Sequence, residues 1–187
     1  MAIEWSGSMS TIKLGKVQEI ALIGILSALN IASRLYLQAL PNVKPVTSII
    51  IISVFLFGLA FAAKLTIVTT LVSGIFLGLG LHIFFQILAW IVVCVLTDFI
   101  AGMYRGKGKM PPLLLMAIFS AIMGYVFGFV VSLEKLMIGG PTMFWTYYIS
   151  GLSFDTLHAI GNFVFYMICT PIMVKVFIRG SKNLQVK

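Results

Sequence analysis

The sequence predicts an all-α integral membrane protein, a compact bundle of six transmembrane helices with both termini in the cytoplasm. Three observations carry that expectation. The chain of 187 residues is 60% hydrophobic and only 10% charged, against about half and about a quarter in water-soluble domains. Its Leu, Ile, Val, Phe and Met residues run along the whole length, more apolar surface than a soluble core could enclose, so one helical domain in the bilayer follows. Its basic residues fall between the apolar runs, and they fall unevenly. A net charge of +8 spread in this way forms no stripe with interleaved aromatics, which argues against nucleic acid as a partner.

A polar tail, residues 1–10, precedes the domain at 11–187. In it Ser6-Gly7-Ser8 stands just before Met9, the pattern of a vector remnant or a frayed end, and it is left out of the functional reading. Each membrane helix needs about 20 mainly apolar residues. Six runs qualify: Val17 to Leu37, Val46 to Ala63, Leu65 to Gly80, Ile83 to Met103, Pro111 to Leu133 and Leu152 to Ile178. Pro41-Asn42-Val43-Lys44-Pro45, Arg105-Gly106-Lys107-Gly108-Lys109 and Gly139-Gly140-Pro141 punctuate three of the gaps. Lys64 divides the second run from the third, and Gly78-Leu79-Gly80 with His82 the third from the fourth.

Alternate gaps then sort the basic residues. One side receives Lys13, Lys16, Lys64, Arg105, Lys107, Lys109, Lys175, Arg179, Lys182 and Lys187, the other Arg34, Lys44 and Lys135; ten against three puts both ends inside. The outer gaps are a segment from Tyr36 to Pro45 and a longer one from Glu134 to Gly151, which holds Phe144-Trp145-Thr146-Tyr147-Tyr148. Those rings are either an interfacial belt or a lid, with Gly139-Gly140 as its hinge.

Gly24, Ala28 and Ala32 recur every four residues on the first helix. Such a ridge lets another helix approach closely, within this chain or on a partner subunit. On the last helix Asp155, His158 and Asn162 stand at i, i+3 and i+7 and so share a face. Polar groups in an apolar helix point inward by default, to bond neighbouring helices or to line a ligand pocket. Gln86 and Trp90, one turn apart, offer a donor and a stacking surface, and Asp98 lies two turns further along. Arg34 is expected to snorkel to the interface, with Glu134 or an anionic ligand as alternative partners.

Catalytic signatures are missing. Gly151-Leu-Ser-Phe lacks the second glycine of a nucleophile elbow, no His-Glu-x-x-His occurs, and two histidines with two dispersed cysteines, Cys94 and Cys169, make no transition-metal set. No Gly-x-x-x-x-Gly-Lys-[Ser/Thr] is present, so no P-loop powers the chain from within.

Three stretches carry a family resemblance: the Gly24/Ala28/Ala32 ridge, Asn42-Val43-Lys44-Pro45-Val46-Thr47, and Phe154-Asp155-Thr156-Leu157-His158-Ala159-Ile160-Gly161-Asn162. With them the chain resembles the substrate-binding S component of energy-coupling factor vitamin importers, a kind of ABC transporter. It departs from the branch it is most like at Lys44, usually Gln, and at Gly80 to Gln86, which lacks the usual Trp. The resemblance implies a non-enzymatic subunit of a bacterial plasma membrane that captures a vitamin on the outer side. Cobalamin is the first choice, with pyridoxine or the hydroxymethylpyrimidine precursor of thiamine next. It implies docking through Gly24, Ala28 and Ala32 onto a transmembrane coupling subunit with two ATPases, which use ATP and Mg; this chain would hold no cofactor or metal. Asn42, Lys44, Gln86, Trp90, Trp145, Tyr147, Asp155, His158 and Asn162 are the expected substrate-binding residues. A closed aromatic pocket for a pyridine or pyrimidine would draw on Trp90, Trp145 and Tyr147. The competing readings are a gradient-driven transporter or channel, with Asp98, Asp155 and His158 as its ion relay, and, with least support, an intramembrane enzyme.

Overall fold

A computed structural model describes residues 11–105 and 111–184, the last seven of these by backbone alone. The tail at 1–10 and the basic residues Lys107, Lys109 and Lys187 lie outside the described residues, as do the side chains of Arg179 and Lys182. The described residues are all-helical: α1 (Lys16–Tyr36), α2 (Val46–Phe57), α3 (Leu59–Leu77), α4 (Leu81–Arg105) and α5 (Leu113–Leu184). Four of them, α1, α3, α4 and α5, are long and apolar enough to cross a membrane. Large apolar side chains such as Ile75, Phe84, Phe99, Leu114, Ile160 and Ile172 face outward. In water so much exposed hydrocarbon would drive aggregation, whereas lipid solvates it. The chain is a helical membrane protein.

Five helices stand where six runs were expected, because the last two runs belong to one element, α5, with a non-helical break inside it. The backbone of α5 leaves helical geometry at Gly139 (φ −138°, ψ 16°) and Gly140 (φ 71°, ψ −169°). The positive φ at Gly140 costs an L side chain steric energy and costs glycine none. Residues 113–138 and 141–184 thereby fold back as a hairpin: Ser120 meets Asn162, Tyr125 Oη meets Thr156 Oγ1 at 2.9 Å, and Phe129 meets Phe144 and Tyr148. The predicted outer loop from Glu134 to Gly151 is therefore helical apart from this elbow, and its aromatic residues ride on a helix. The two arms touch through glycines. A methyl group on Gly124 would come within 2.8 Å of the Ala159 main-chain nitrogen, and one on Gly128 would fall on the Asp155 carboxylate. Close backbone approach of this kind is a main source of helix association in lipid.

The second correction concerns the break between α2 and α3, which lies at Gly58 and not at Lys64. Gly58 has φ 91°, a conformation that ends a helix at little cost only for glycine; Lys64 sits inside α3 and pairs with Glu19 of α1 at 2.7 Å. Helix α2 is rich in β-branched Val and Ile, poor helix formers in water, but every residue from Val46 to Leu56 is buried. With no water to serve the backbone, a helix pairs each peptide group within the segment and overrides side-chain propensity. It packs against all four other helices.

Twelve residues give α2 a length of about 18 Å, short of the hydrocarbon thickness. Its exposed carbonyls at the C-terminal end are served by neighbours: the Ile12 N–H donates to Leu56 O at 2.8 Å, and Arg105 Nη2 donates to Val54 O at 3.2 Å. Arg105 also pairs with Asp98 at 2.9 Å. A cation at a helix C-terminus is favoured by the helix dipole as well as by the hydrogen bond. The start of α1, the end of α2, the start of α3 and the end of α4 thus share one end of the bundle, which carries Lys16, Lys64 and Arg105. The end of α1, the start of α2 and the start of α4 meet at the other.

Candidate functional site

That opposite end holds a half-open cavity of about 210 Å³, lined among others by Arg34, Gln38, Asn42, Lys44, Thr47, Gln86, Trp90, Phe127 and His158. Its wall is built outward from α2. Thr47 Oγ1 lies 3.1 Å from Trp90 Nε1 of α4 and 3.1 Å from His158 Nε2 of α5. An indole nitrogen can only donate, so the threonine oxygen accepts from Trp90 and its own proton is free for His158. The other ring nitrogen, Nδ1, is buried and has no hydrogen-bond partner. Phe127 packs against both Trp90, at 4.8 Å between centroids, and His158, at 5.1 Å, giving the floor an aromatic surface.

Arg34 overturns the snorkelling expectation. It is 8% exposed, with Nη2 donating to Gln86 Oε1 at 2.7 Å and Cζ 5.2 Å from the Trp90 ring centre. This distance is in the range of a cation–π contact. It does not pair with Glu134, which meets Lys135 at 3.4 Å. Its Nη1 is buried without a hydrogen bond. The second cation, Lys44, stands in the link between α1 and α2 and donates to Leu40 O at 3.5 Å. Burial, with the Arg34 guanidinium as a lesser cause, holds the Lys44 ammonium below the ordinary lysine range. Among the described residues no Asp or Glu lines the cavity.

The link itself is seated on the second arm of α5. Asn42 takes a left-handed conformation (φ 57°), which asparagine tolerates, and its Nδ2 donates to Phe154 O at 3.4 Å. Val43 lies over Gly161. The link between α1 and α2 thus forms one wall of the cavity.

Of the nine expected binding residues, Asn42, Lys44, Gln86, Trp90 and His158 line this cavity together. The structure places the other four elsewhere. Trp145 and Tyr147 are about half exposed, with Trp145 in an aromatic cluster with Phe144 and Tyr148 and Tyr147 under Lys135, so no pocket combines them with Trp90. Asp155 is buried against Gly128, in mid-helix and not at a cap. Asn162 ties α2 and the two arms of α5 together: its Nδ2 donates to Ser120 O at 3.2 Å and its main-chain oxygen accepts from Ser48 Oγ at 3.0 Å and Ser120 Oγ at 3.4 Å. Asp98 belongs to the far end with Arg105, so it forms no relay with Asp155 and His158. Gly24, Ala28 and Ala32 are all exposed, and nothing lies within 4 Å of where a Gly24 methyl would be; they make no packing face within the chain. Both cysteines are free, and among the described residues no group of three His, Cys, Asp or Glu could hold a metal ion.

Thr47, Phe127 and Gln38 were missed. Thr47 had a signal, since it falls in the quoted stretch and begins a buried helix. Arg34 had a stronger one: the rule that placed His158 inward, an ionisable group in an apolar helix, applies equally to it.

The fold is a bundle of helices, four of them long and apolar enough to cross a membrane, with a half-open cavity at one end. No family model matches the chain, and no curated protein and no solved structure matches it.

Proposed function

We propose that this chain is the ligand-capturing subunit of a vitamin importer, which grips its substrate in the cavity and hands it on through a coupling subunit driven by two ATPases. The observation that carries the reading is the cavity: about 210 Å³, roofed by the α1–α2 link, floored by Trp90 and Phe127, and edged with polar donors. Apolar walls with a few convergent polar groups are the usual form of a small-molecule site. The open Gly24/Ala28/Ala32 ridge supports a partner, and the resemblance to S components supports its kind.

On this reading the α5 hairpin counts as two crossings and α2 as a short one, giving six. The basic end of the bundle faces the cytoplasm with both termini, and the cavity faces outward. Cavity size reorders the vitamins. An apolar cavity of about 150 Å³ holds benzene, so this one suits a single substituted ring. Pyridoxine or the hydroxymethylpyrimidine precursor therefore stands ahead of cobalamin, whose corrin ring would need several times the space.

The test replaces Ala28 and Ala32 by Trp. Both are exposed, so the double variant should fold and bind ligand as before yet lose co-purification with a coupling subunit. A normal complex from the variant, or gradient-driven uptake by the purified chain alone, would refute the reading.

A further inference from the structure

We propose that the cavity takes its ligand as an oxyanion, a single aromatic ring bearing a carboxylate or phosphate group that Arg34 and Lys44 hold while the ring lies against Trp90 and Phe127. This rests on the capture reading and narrows its single-ring substrates to acid or phosphate forms, in place of neutral pyridoxine or hydroxymethylpyrimidine. Arg34 is more than nine-tenths buried, one arm of its guanidinium is taken by Gln86, and the other, Nη1, is buried with no acceptor. A charged donor is the costliest group to leave in that condition. Lys44 makes one long hydrogen bond and has two protons over. Two neighbouring cations at one cavity repel each other, which adds to burial, the larger cause, in lowering the range of Lys44.

Among the described residues no carboxylate resolves this. Glu134 is engaged by Lys135, Asp155 lies on Gly128, and Glu19 and Asp98 pair with Lys64 and Arg105 at the far end. The remaining titratable group of the wall, His158, adds a second buried nitrogen without a partner. An anion supplied from outside would give Arg34 and Lys44 the acceptor that the described chain does not, and a guanidinium arm is suited to carboxylate or phosphate oxygens. A neutral ring would leave Arg34 Nη1 as it is.

The experiment is isothermal titration of the full chain in neutral detergent with matched probes: benzoate and benzamide, nicotinate and nicotinamide, pyridoxal phosphate and pyridoxal. The acid of at least one pair should bind roughly 10- to 100-fold more tightly than its neutral partner, the size of a hydrogen bond to a charged group. Arg34→Gln should abolish that preference, Arg34→Lys should keep most of it, and Lys44→Gln should lower it by about tenfold. If Arg34→Gln fails to fold, Lys44→Gln, on a partly exposed link, carries the test. Equal affinity within every pair, binding by no probe, or a preference that survives both Gln variants would overturn the proposal. So would binding of phosphatidylglycerol headgroups alone, which would reassign the cations to lipid. The capture reading fails separately, through the Ala28/Ala32 variant and its partner.

Discussion

Replacing Thr47 by Val removes one oxygen from the centre of the site and keeps the side chain's shape. Thr47 is 1% exposed and its hydroxyl both accepts from Trp90 Nε1 and meets His158 Nε2, each at 3.1 Å. The variant leaves two buried polar atoms, on α4 and on α5, without partners. In water-soluble proteins such orphans cost about 1–3 kcal/mol each, but hydrogen bonds between membrane helices average nearer 0.6 kcal/mol because the unfolded state in lipid finds partners too. We therefore expect about 1–3 kcal/mol in all. Reversible unfolding in mixed micelles measures it, with Thr47→Ser as the control that restores the hydroxyl and most of the stability. Ligand affinity should fall with Thr47→Val as Trp90 and His158 lose their fixed orientation. A Thr47→Val protein as stable and as tight-binding as the parent, or a Ser variant no better than Val, would refute the bridging role.

The α5 hairpin makes a graded prediction: Gly124→Ala should destabilise by about 1–3 kcal/mol because its methyl meets the Ala159 main chain, which cannot step aside. Gly128→Ala should cost less, since the Asp155 side chain in its way can rotate, and Gly24→Ala, with nothing nearby, should be neutral or slightly stabilising; thermal unfolding in detergent ranks the three. For Lys44 the folded state disfavours the charged form, so stability should rise with pH between its lowered folded pKa and the ordinary 10.5. Binding of the oxyanion should weaken over the same range as the ammonium is lost, and Lys44→Arg should flatten that profile; titrations across alkaline pH show both.

Much of this architecture can be read from composition, because lipid leaves few options: long apolar runs must be helices, and Pro and Gly punctuation marks several of their ends. The failures share a cause. Lys64 looked like a boundary because charges usually avoid the membrane, yet near the start of α3 it reaches Glu19 and the real break is made by the backbone of Gly58. The segment from Glu134 to Gly151 looked like a loop because it mixes aromatic and polar residues. Its fold is decided by whether those residues have a neighbouring arm to lie on, which is information about the hairpin and not about the segment.

The site divides in the same way. His158, Trp90 and Gln86 were legible because a polar group in an apolar helix must face inward. The separation of His158 from Asp155, three residues apart on one face, was not. It depends on Gly128 admitting the carboxylate against its backbone while His158 turns to Thr47. Trp145 and Tyr147 were chosen by residue type, and residue type does not carry direction.

The central claim is that the cavity beside Arg34 and Trp90 holds a small ring-shaped ligand. Mass spectrometry of small molecules extracted from the gently purified chain, set beside the same extract from Arg34→Gln, tests it most directly. The account predicts one single-ring acid near one per protein, absent from the variant. An extract without such a molecule, or one in which the variant retains it equally, would contradict the claim.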